Sequence, residues 1–311
     1  PVITLSSIDL GQRVVISRTD EVMNYTDPTR WDALPKATLL LAGLVPPDPK
    51  ASLKKWLERV GGGLDVTLFS ALPKGSGLGT SSVLGAAMLA CLARVLGRPV
   101  AHDQLIRRTS ALEQMMTTGG GWQDQVGGLT PGIKLARTAP GPDQSPALLW
   151  TGAELERSAD FRRRLLLYFT GHKRMARNIL QNVVGRYLAR DPQAIATIHA
   201  LKDGALQMKA DLDAADFPAF AAGIERYWRL KRQLDAGSTN PHIESLLKPI
   251  NKYLDARLLP GAGGGGFVFM VCKDDDAAAK VRATLDRRPP NRFARFFDFA
   301  FDPKGLQVTV L

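Results

Sequence analysis

Cysteine is scarce in this chain of 311 residues, which holds Cys91 and Cys272 far apart in the sequence. Two distant thiols exclude a disulfide-rich scaffold and a cysteine-based zinc site. Each cysteine lies in an apolar segment, so we predict two buried free thiols. Long apolar runs are also missing, since none approaches the roughly 20 residues that a membrane span requires. No signal-peptide pattern opens the sequence. These absences together predict a cytoplasmic protein with no membrane partner.

Acidic residues are fewer than basic ones, with 30 Asp and Glu against 41 Lys and Arg and a formal net charge of +11. The basic residues are scattered along the chain, and few aromatic residues lie between them. An excess of positive charge attracts phosphate groups, but no module that reads nucleic acid accompanies it. We therefore predict small-molecule substrates and no nucleic-acid partner.

Two common nucleotide-binding motifs are absent as well. The glycine-rich segment 75–79 lacks the Gly-Lys-Thr/Ser ending of the P-loop and the glycine spacing of the dinucleotide fingerprint. It nevertheless joins a strand-like run, 64–72, to a helix-like run, 83–96. Backbone amides at such a junction favour a bound phosphate, and the helix dipole adds to the effect. The residues predicted to bind a nucleotide phosphate here are Lys74, Gly75, Ser76, Gly77, Leu78, Gly79, Thr80, Ser81 and Ser82.

Two carboxylates follow this loop. Glu113 lies in a helical pattern over 101–116, and Asp124 comes shortly after the glycines of 119–121. Phosphoryl transfer requires a phosphate cradle, a hard cation with oxygen ligands and a carboxylate beside the attacking hydroxyl. The loop and the two carboxylates fit that chemistry.

A second glycine-rich segment, 261–266, has five glycines in six positions and directly precedes the apolar run 267–272. Each glycine loses much backbone entropy on folding, and a flexible linker would be richer in serine. We therefore predict a functional loop.

The remaining pattern predicts a mixed helix and strand chain. A hairpin is expected within 1–20, and a short helix is expected from Pro49 to Val60 with Asp48 as its N-cap. The second half is predicted to carry helices on a small antiparallel sheet, including a bent helix over 240–256 and a last strand over 307–311.

These segments, in this order, resemble the motifs of the GHMP kinase superfamily. Residues 73–82 are similar to its second motif and residues 261–267 to its third. The stretch 117–128, TTGGGWQDQVGG, resembles the fucokinase branch, as does the segment 170–178. Heptose 7-phosphate kinases are similar at 123–125 and in the third motif. The likeness covers nearly the whole chain.

The resemblance implies roles for individual residues. The loop over 75–79 would wrap the phosphates of ATP, and Ser81 and Glu113 would ligate Mg²⁺. Asp124 would accept the proton of the attacking sugar hydroxyl. The sugar-binding residues that the resemblance implies are Gly119, Gly120, Gly121, Trp122, Arg174, Gly263, Gly264 and Gly265.

The resemblance also implies an architecture and an activity. The fold would be α+β, with an N-terminal ATP-binding α/β domain over 1–158 and a C-terminal ferredoxin-like domain over 159–311. The implied reaction is ATP-dependent phosphorylation of a free sugar at its anomeric hydroxyl, most simply L-fucose to L-fucose 1-phosphate. The alternatives are a heptose 7-phosphate kinase and a non-catalytic sugar- and nucleotide-binding regulator of the same fold.

One departure from the family pattern concerns the start of the chain. The first motif of the family, of the type Arg-x-Asp-Leu-x-Gly-Gly, is absent, and the sequence opens with Pro1 inside a strand-like segment. We therefore predict a piece of a longer protein, with the first motif and any pyrophosphorylase domain upstream.

Overall fold

The computed structural model describes residues 1–27, 29–73, 75–116, 120–141, 145–172 and 177–310. The backbone divides into two compact units: unit 1 holds Pro1–Lys74, Gly79–Pro131 and Lys304–Leu311, and unit 2 holds Gly75–Leu78 and Gly132–Pro303. The expected domain bounds, 1–158 and 159–311, remain a prediction.

Unit 1 is built on a sheet of three strands in the order β2–β1–β3. The strands are β1 (Ile3–Ser7), β2 (Gln12–Ile16) and β3 (Leu64–Leu68). The first two form an antiparallel hairpin with Ile3 opposite Ile16, which confirms the hairpin predicted within 1–20. The third strand lies parallel to β1, with Ile3 opposite Leu64.

Five α-helices complete unit 1 in the part that the structure describes: α1 (Ala33–Leu41), α2 (Leu53–Arg59), α3 (Thr80–Val95), α4 (His102–Met115) and α5 (Gln123–Leu129). Buried side chains of the sheet and the helices, such as Leu5, Leu39 and Met88, form one apolar core. Helix α3 packs against both α4 and α5. This packing fixes where α3 begins relative to the acidic residues of its neighbours.

The start of α2 corrects a sequence prediction. Its N-cap is Ser52, whose hydroxyl accepts a hydrogen bond from the Lys55 amide at 3.4 Å. Asp48 instead accepts a bond from the Lys50 amide at 2.9 Å, within a turn that precedes the helix. The prediction was wrong because Asp followed by Pro is as typical of a turn as of a helix start.

Unit 2 contains a short hairpin and a four-stranded antiparallel sheet. The hairpin pairs β4 (Lys134–Arg137) with β5 (Ala147–Trp150). The elements that follow in chain order are α6 (Glu154–Arg157), α7 (Ala159–Arg163), β6 (Leu165–Phe169), α8 (Arg177–Leu188), α9 (Pro192–Asp213), α10 (Phe217–Leu234), α11 (Pro241–Leu247), β7 (Leu254–Leu258), β8 (Phe267–Cys272), α12 (Asp275–Arg287) and β9 (Arg295–Phe297).

The large sheet has the strand order β7–β8–β6–β9. A strand, helices, two strands, a helix and a strand in this order form the ferredoxin-like arrangement, which confirms the predicted fold of the C-terminal half. One face of the sheet packs Leu166 with α11 and α12. The other face packs Leu165 with residues of α7 and α10.

Three predictions for other segments were wrong. The bent helix over 240–256 is a helix that ends at Leu247, followed by β7, because Leu254–Leu258 pairs with β8. Residues 307–310 form no strand. Cys91 is exposed, whereas Cys272 is buried as predicted. Within the described part of the chain, no helix has the length and apolarity needed to cross a membrane.

Candidate active site

The first turn of α3 carries the hydroxyl residues of the predicted phosphate loop. The helix begins at Thr80, three residues earlier than the sequence pattern indicated, and Gly79 is its N-cap with a left-handed φ of 63°. As a glycine, Gly79 offers no side chain that could cap this end. The first amides of a helix have no partner within the helix and carry a partial positive charge. This start can therefore bind an anion.

Asp124 lies directly against this helix start. A Cβ added to Gly79 would lie 2.7 Å from the Cβ of Asp124, so only glycine fits at position 79. Asp124 belongs to the first turn of α5, not to a loop. Its side chain is exposed, yet the pKa of its carboxyl is raised because the surrounding protein atoms displace part of its water.

Glu113 lies on α4 and is buried, with 8% of its surface exposed. The hydroxyl of Ser82, which is 2% exposed, donates a hydrogen bond to its carboxylate. Burial raises the pKa of Glu113; the Ser82 bond lowers it, and the charge of Asp124 raises it further. The two carboxylates are thus close enough for their charges to repel each other.

The side-chain oxygen atoms at this end of α3 are metal ligands of the kind that Mg²⁺ prefers. Carboxylates and hydroxyls are hard oxygen ligands, and the residues present fit that ion. No group of three or more His, Cys, Asp and Glu side chains suited to a metal occurs in the described ranges. Ser82 is hydrogen-bonded to Glu113, while Ser81 is exposed on the same turn of the helix. The metal-ligand role of Ser81 stays a prediction.

Two glutamine side chains hold the loop before α5. The Gln114 amide donates to the carbonyl oxygen of Gly120 at 3.0 Å. With its amide nitrogen turned toward the loop, fully buried Gln125 donates to the carbonyl oxygens of Gly121 and Trp122, each at 3.1 Å. Sequence reasoning assigned neither glutamine a site role. The sequence pattern indicated no specific role for them, since a glutamine beside a glycine run can make many different hydrogen bonds.

The two glycine-rich segments, predicted separately, are in backbone contact within unit 2. The amide of Phe267 donates to the carbonyl oxygen of Ser76 at 3.1 Å. Gly266 has a φ of 80°, and a Cβ there would lie 2.1 Å from the same oxygen. The lack of a side chain at position 266 therefore allows this contact.

A buried lysine supports the second glycine-rich segment. The Lys231 ammonium donates to the carbonyl oxygens of Leu259, at 2.6 Å, and Gly261. Burial lowers the pKa of Lys231 to about 8. The amide of Gly264 also donates to the carbonyl oxygen of Ser238 at 2.6 Å. Sequence reasoning missed Lys231, because a lysine in a helix normally faces solvent.

The predicted site residues fall into three groups. Lys74, Gly119 and Arg174 lie outside the described residues. Those in unit 1 are Gly79, Thr80, Ser81, Ser82, Glu113, Gly120, Gly121, Trp122 and Asp124. Those in unit 2 are Gly75, Ser76, Gly77, Leu78, Gly263, Gly264 and Gly265.

Two family descriptions match the chain in the expected order. The GHMP kinases N terminal domain matches residues 49–131, and the GHMP kinases C terminal domain matches residues 208–291. Together they span more than half of the chain. The chain belongs to the GHMP kinase family. Glu113, Asp124 and the start of α3 all lie in the N-terminal match, and the second glycine-rich segment lies in the C-terminal one.

Three curated relatives are similar over most of this GHMP kinase chain. The L-fucokinase/L-fucose-1-P guanylyltransferase of Bacteroides fragilis is 37% identical over 99% of the chain and 33% of its own length. The bifunctional fucokinase/GDP-fucose pyrophosphorylase of Arabidopsis thaliana is 35% identical over 84% of the chain and 24% of its own length. The D-glycero-alpha-D-manno-heptose 7-phosphate kinase of Campylobacter jejuni is 28% identical over 77% of the chain and 68% of its own length. The chain thus spans about a third or less of the two fucokinase relatives.

Solved structures support the GHMP kinase fold. The galactokinase of Lactococcus lactis, complexed with galactose, has a TM-score of 0.69 at 15% identity, covering 98% of this chain and 83% of its own. The mevalonate kinase of Methanococcus jannaschii has a TM-score of 0.66 at 15% identity, covering 95% and 83%. At such identities the likeness concerns the fold alone.

Proposed function

We propose that this GHMP kinase transfers a phosphoryl group from ATP to the anomeric hydroxyl of L-fucose, giving L-fucose 1-phosphate. The structural observation that carries the proposal is the contact of Asp124 with Gly79 at the start of α3, with Glu113 near enough to feel its charge. The choice of sugar is supported by the two relatives whose names include fucokinase.

In this proposal Asp124 is the proton acceptor. A carboxylate beside the attacking hydroxyl lets the oxygen become nucleophilic as its proton leaves. The raised pKa of Asp124 makes the carboxylate more basic. Positioned proton transfer of this kind contributes roughly 10²–10⁴-fold to the rate.

The amides at the start of α3 and the loop over 75–79 are proposed to bind the phosphates of ATP. Glu113 and Ser81 are proposed to hold Mg²⁺, with Ser82 fixing the carboxylate of Glu113 through its hydrogen bond. When bound, Mg²⁺ would neutralise charge on the phosphate oxygens. Gly120–Trp122 and Gly263–Gly265 are proposed to contact the sugar, with the loop before α5 held by Gln114 and Gln125.

The test is incubation of the full protein with ATP and Mg²⁺ and either L-fucose or heptose 7-phosphate, with the product followed by ³¹P nuclear magnetic resonance. We expect a sugar 1-phosphate from L-fucose and little turnover of the heptose. Preferred turnover of the heptose would favour the alternative that the Campylobacter relative supports. Binding of both ligands without turnover would favour the non-catalytic regulator.

We also propose a further domain and a location in the cell for the full protein. The names of both fucokinase relatives describe a second, nucleotidyl-transferring activity, so we propose that the full protein carries a pyrophosphorylase domain. We also propose that the protein acts in the cytoplasm, where ATP and free sugars meet.

A further inference from the structure

A pocket of about 720 Å³ in unit 2 is lined by residues of α11, α12 and neighbouring segments. This volume lies within the usual range for a small-molecule site. None of the described residues assigned above to ATP, Mg²⁺ or the sugar lines it. Its lining residues are His172, His242, Ser245, Leu246, Pro249, Thr284, Leu285, Arg287, Arg288 and Pro290. We call it the His–Arg pocket.

The rim of the His–Arg pocket is basic. Arg287 and Arg288 are exposed at the end of α12, and neither has an ion-pair partner among the residues described. No carboxylate is found among the described lining residues. Each guanidinium presents several N–H donors in a planar fork that suits phosphate oxygens.

The wall and floor suit a ring or an apolar body. The imidazole rings of His172 and His242 stack with their centroids 5.4 Å apart and their planes at 25°. Leu246 and Leu285 are buried beneath the pocket as members of the core of unit 2. An anion alone would leave these apolar surfaces uncovered.

The same core holds a polar atom without a partner. The hydroxyl of Tyr168 is buried and has no hydrogen-bond partner within the described residues. The charge of Asp286, which is flanked by the lining residues Leu285 and Arg287, acts on Tyr168. A buried unpaired hydroxyl costs free energy, but Tyr168 is not among the residues that line the pocket.

The geometry points to a binding site for a phosphorylated small molecule with a ring or apolar body, held by Arg287 and Arg288 and packed against His172 and His242. The site borders the second glycine-rich segment. The carbonyl oxygen of His172 accepts a bond from the Gly266 amide at 2.8 Å, and Asn240 donates to the carbonyl oxygen of Gly264 at 2.8 Å.

The test uses phenyl phosphate as the probe, because it combines a phosphate with an apolar ring. Titration calorimetry on the full chain would compare the wild type with the double variant Arg287→Gln/Arg288→Gln. The matched control is Arg226→Gln/Arg229→Gln, which removes the same charge from exposed positions of α10. We expect binding about tenfold weaker in the pocket variant alone, the usual effect of losing charge-assisted bonds. Equal affinities in the two variants would overturn the proposal.

A second readout locates the probe on the wild-type chain. The sequence has four histidines, His102, His172, His199 and His242, so their ring signals can be assigned by magnetic resonance. Phenyl phosphate should shift the signals of His172 and His242 and leave those of His102 and His199 unchanged. Inorganic phosphate should produce the same pattern more weakly, because it lacks the ring. Unmoved signals of His172 and His242 would contradict the site, whatever the chain phosphorylates.

Discussion

At the scale of single residues, two adjacent serines in the first turn of α3 have different proposed roles. One is a ligand of Mg²⁺, and the other is a hydrogen-bond donor to Glu113. Ser81 and Ser82 are adjacent, and the family resemblance assigns the metal to Ser81. In the structure, the Ser82 hydroxyl donates a hydrogen bond to the Glu113 carboxylate, and Ser81 is exposed.

Single alanine substitutions test this division. Ser81→Ala should raise the Mg²⁺ concentration for half-maximal activity about tenfold, since one oxygen ligand is lost. Ser82→Ala should change that concentration much less, because Glu113 keeps its carboxylate. The measurement is an Mg²⁺ titration of phosphoryl transfer. The reverse order of the two effects would make Ser82 the ligand.

The buried carboxylate of Glu113 is expected to serve activity while lowering the free energy of unfolding at neutral pH. Its pKa is raised in the folded chain, so its contribution to stability is complete at low pH and is lost as pH rises through the folded pKa. At pH 7 without Mg²⁺, Glu113→Gln should therefore raise the melting temperature, by about 2–4 °C for each kcal/mol regained. This gain should shrink at low pH, where the wild-type carboxyl is protonated.

The control for this change is Glu58→Gln on the exposed face of α2, which should leave the melting temperature nearly unchanged. Activity should fall in Glu113→Gln alone. A lower melting temperature for Glu113→Gln at pH 7 would contradict the burial argument.

At the scale of elements, the long apolar or periodic segments were predictable and the short turns were not. The pattern over 83–96 indicated α3, and the run 267–272 indicated β8, because burial imposes a clear period. The start of α2 and the end of α11 were mispredicted, since Asp-Pro and a mid-segment Pro249 each fit more than one local structure.

The candidate site was predictable only in part. Glycines and acidic residues mark its chemistry, so Glu113, Asp124 and both glycine-rich segments could be chosen from sequence. The contacts between segments could not be predicted. No local sequence pattern indicates that Ser76 contacts Gly266 or that Lys231 donates to Leu259.

The contact between the two glycine-rich segments can be tested at Gly266. Gly266→Ala adds a Cβ 2.1 Å from a backbone oxygen at a positive φ, so it should lower the free energy of unfolding by more than about 1 kcal/mol. The matched control is Gly204→Ala within α9, where nothing lies within 4 Å; it should stabilise by about 0.5–1 kcal/mol. Urea unfolding measures both. Equal effects would show that the segments do not touch.

Lys231 predicts a pH dependence in unit 2. Its folded pKa of about 8 lies below the ordinary lysine value, so the unfolded chain binds the proton more tightly. Burial of the ammonium therefore costs stability below pH 8, and the free energy of unfolding should rise as pH increases through and above 8. Urea unfolding at pH 7 and pH 9 should show this rise in the wild type. Lys231→Met should lack it; an equal rise in both would assign the effect to other groups.

At the scale of the whole molecule, the similarity to the fucokinase relatives runs along nearly the full chain but covers only part of each relative. The two family matches follow each other in the order of the family's N- and C-terminal domains. Unit 1 holds the helix start beside the two carboxylates, and unit 2 holds the second glycine-rich segment. The names of those relatives also describe a second activity.

We propose that Asp124 receives the proton from the anomeric hydroxyl of L-fucose during phosphoryl transfer. The most direct measurement compares the rate of L-fucose 1-phosphate formation by the wild type and by Asp124→Asn, with ATP binding measured in parallel. We expect Asp124→Asn to lower the rate by roughly 10²–10⁴-fold and to leave the ATP affinity nearly unchanged. A variant that turns over L-fucose at a rate close to that of the wild type would contradict it.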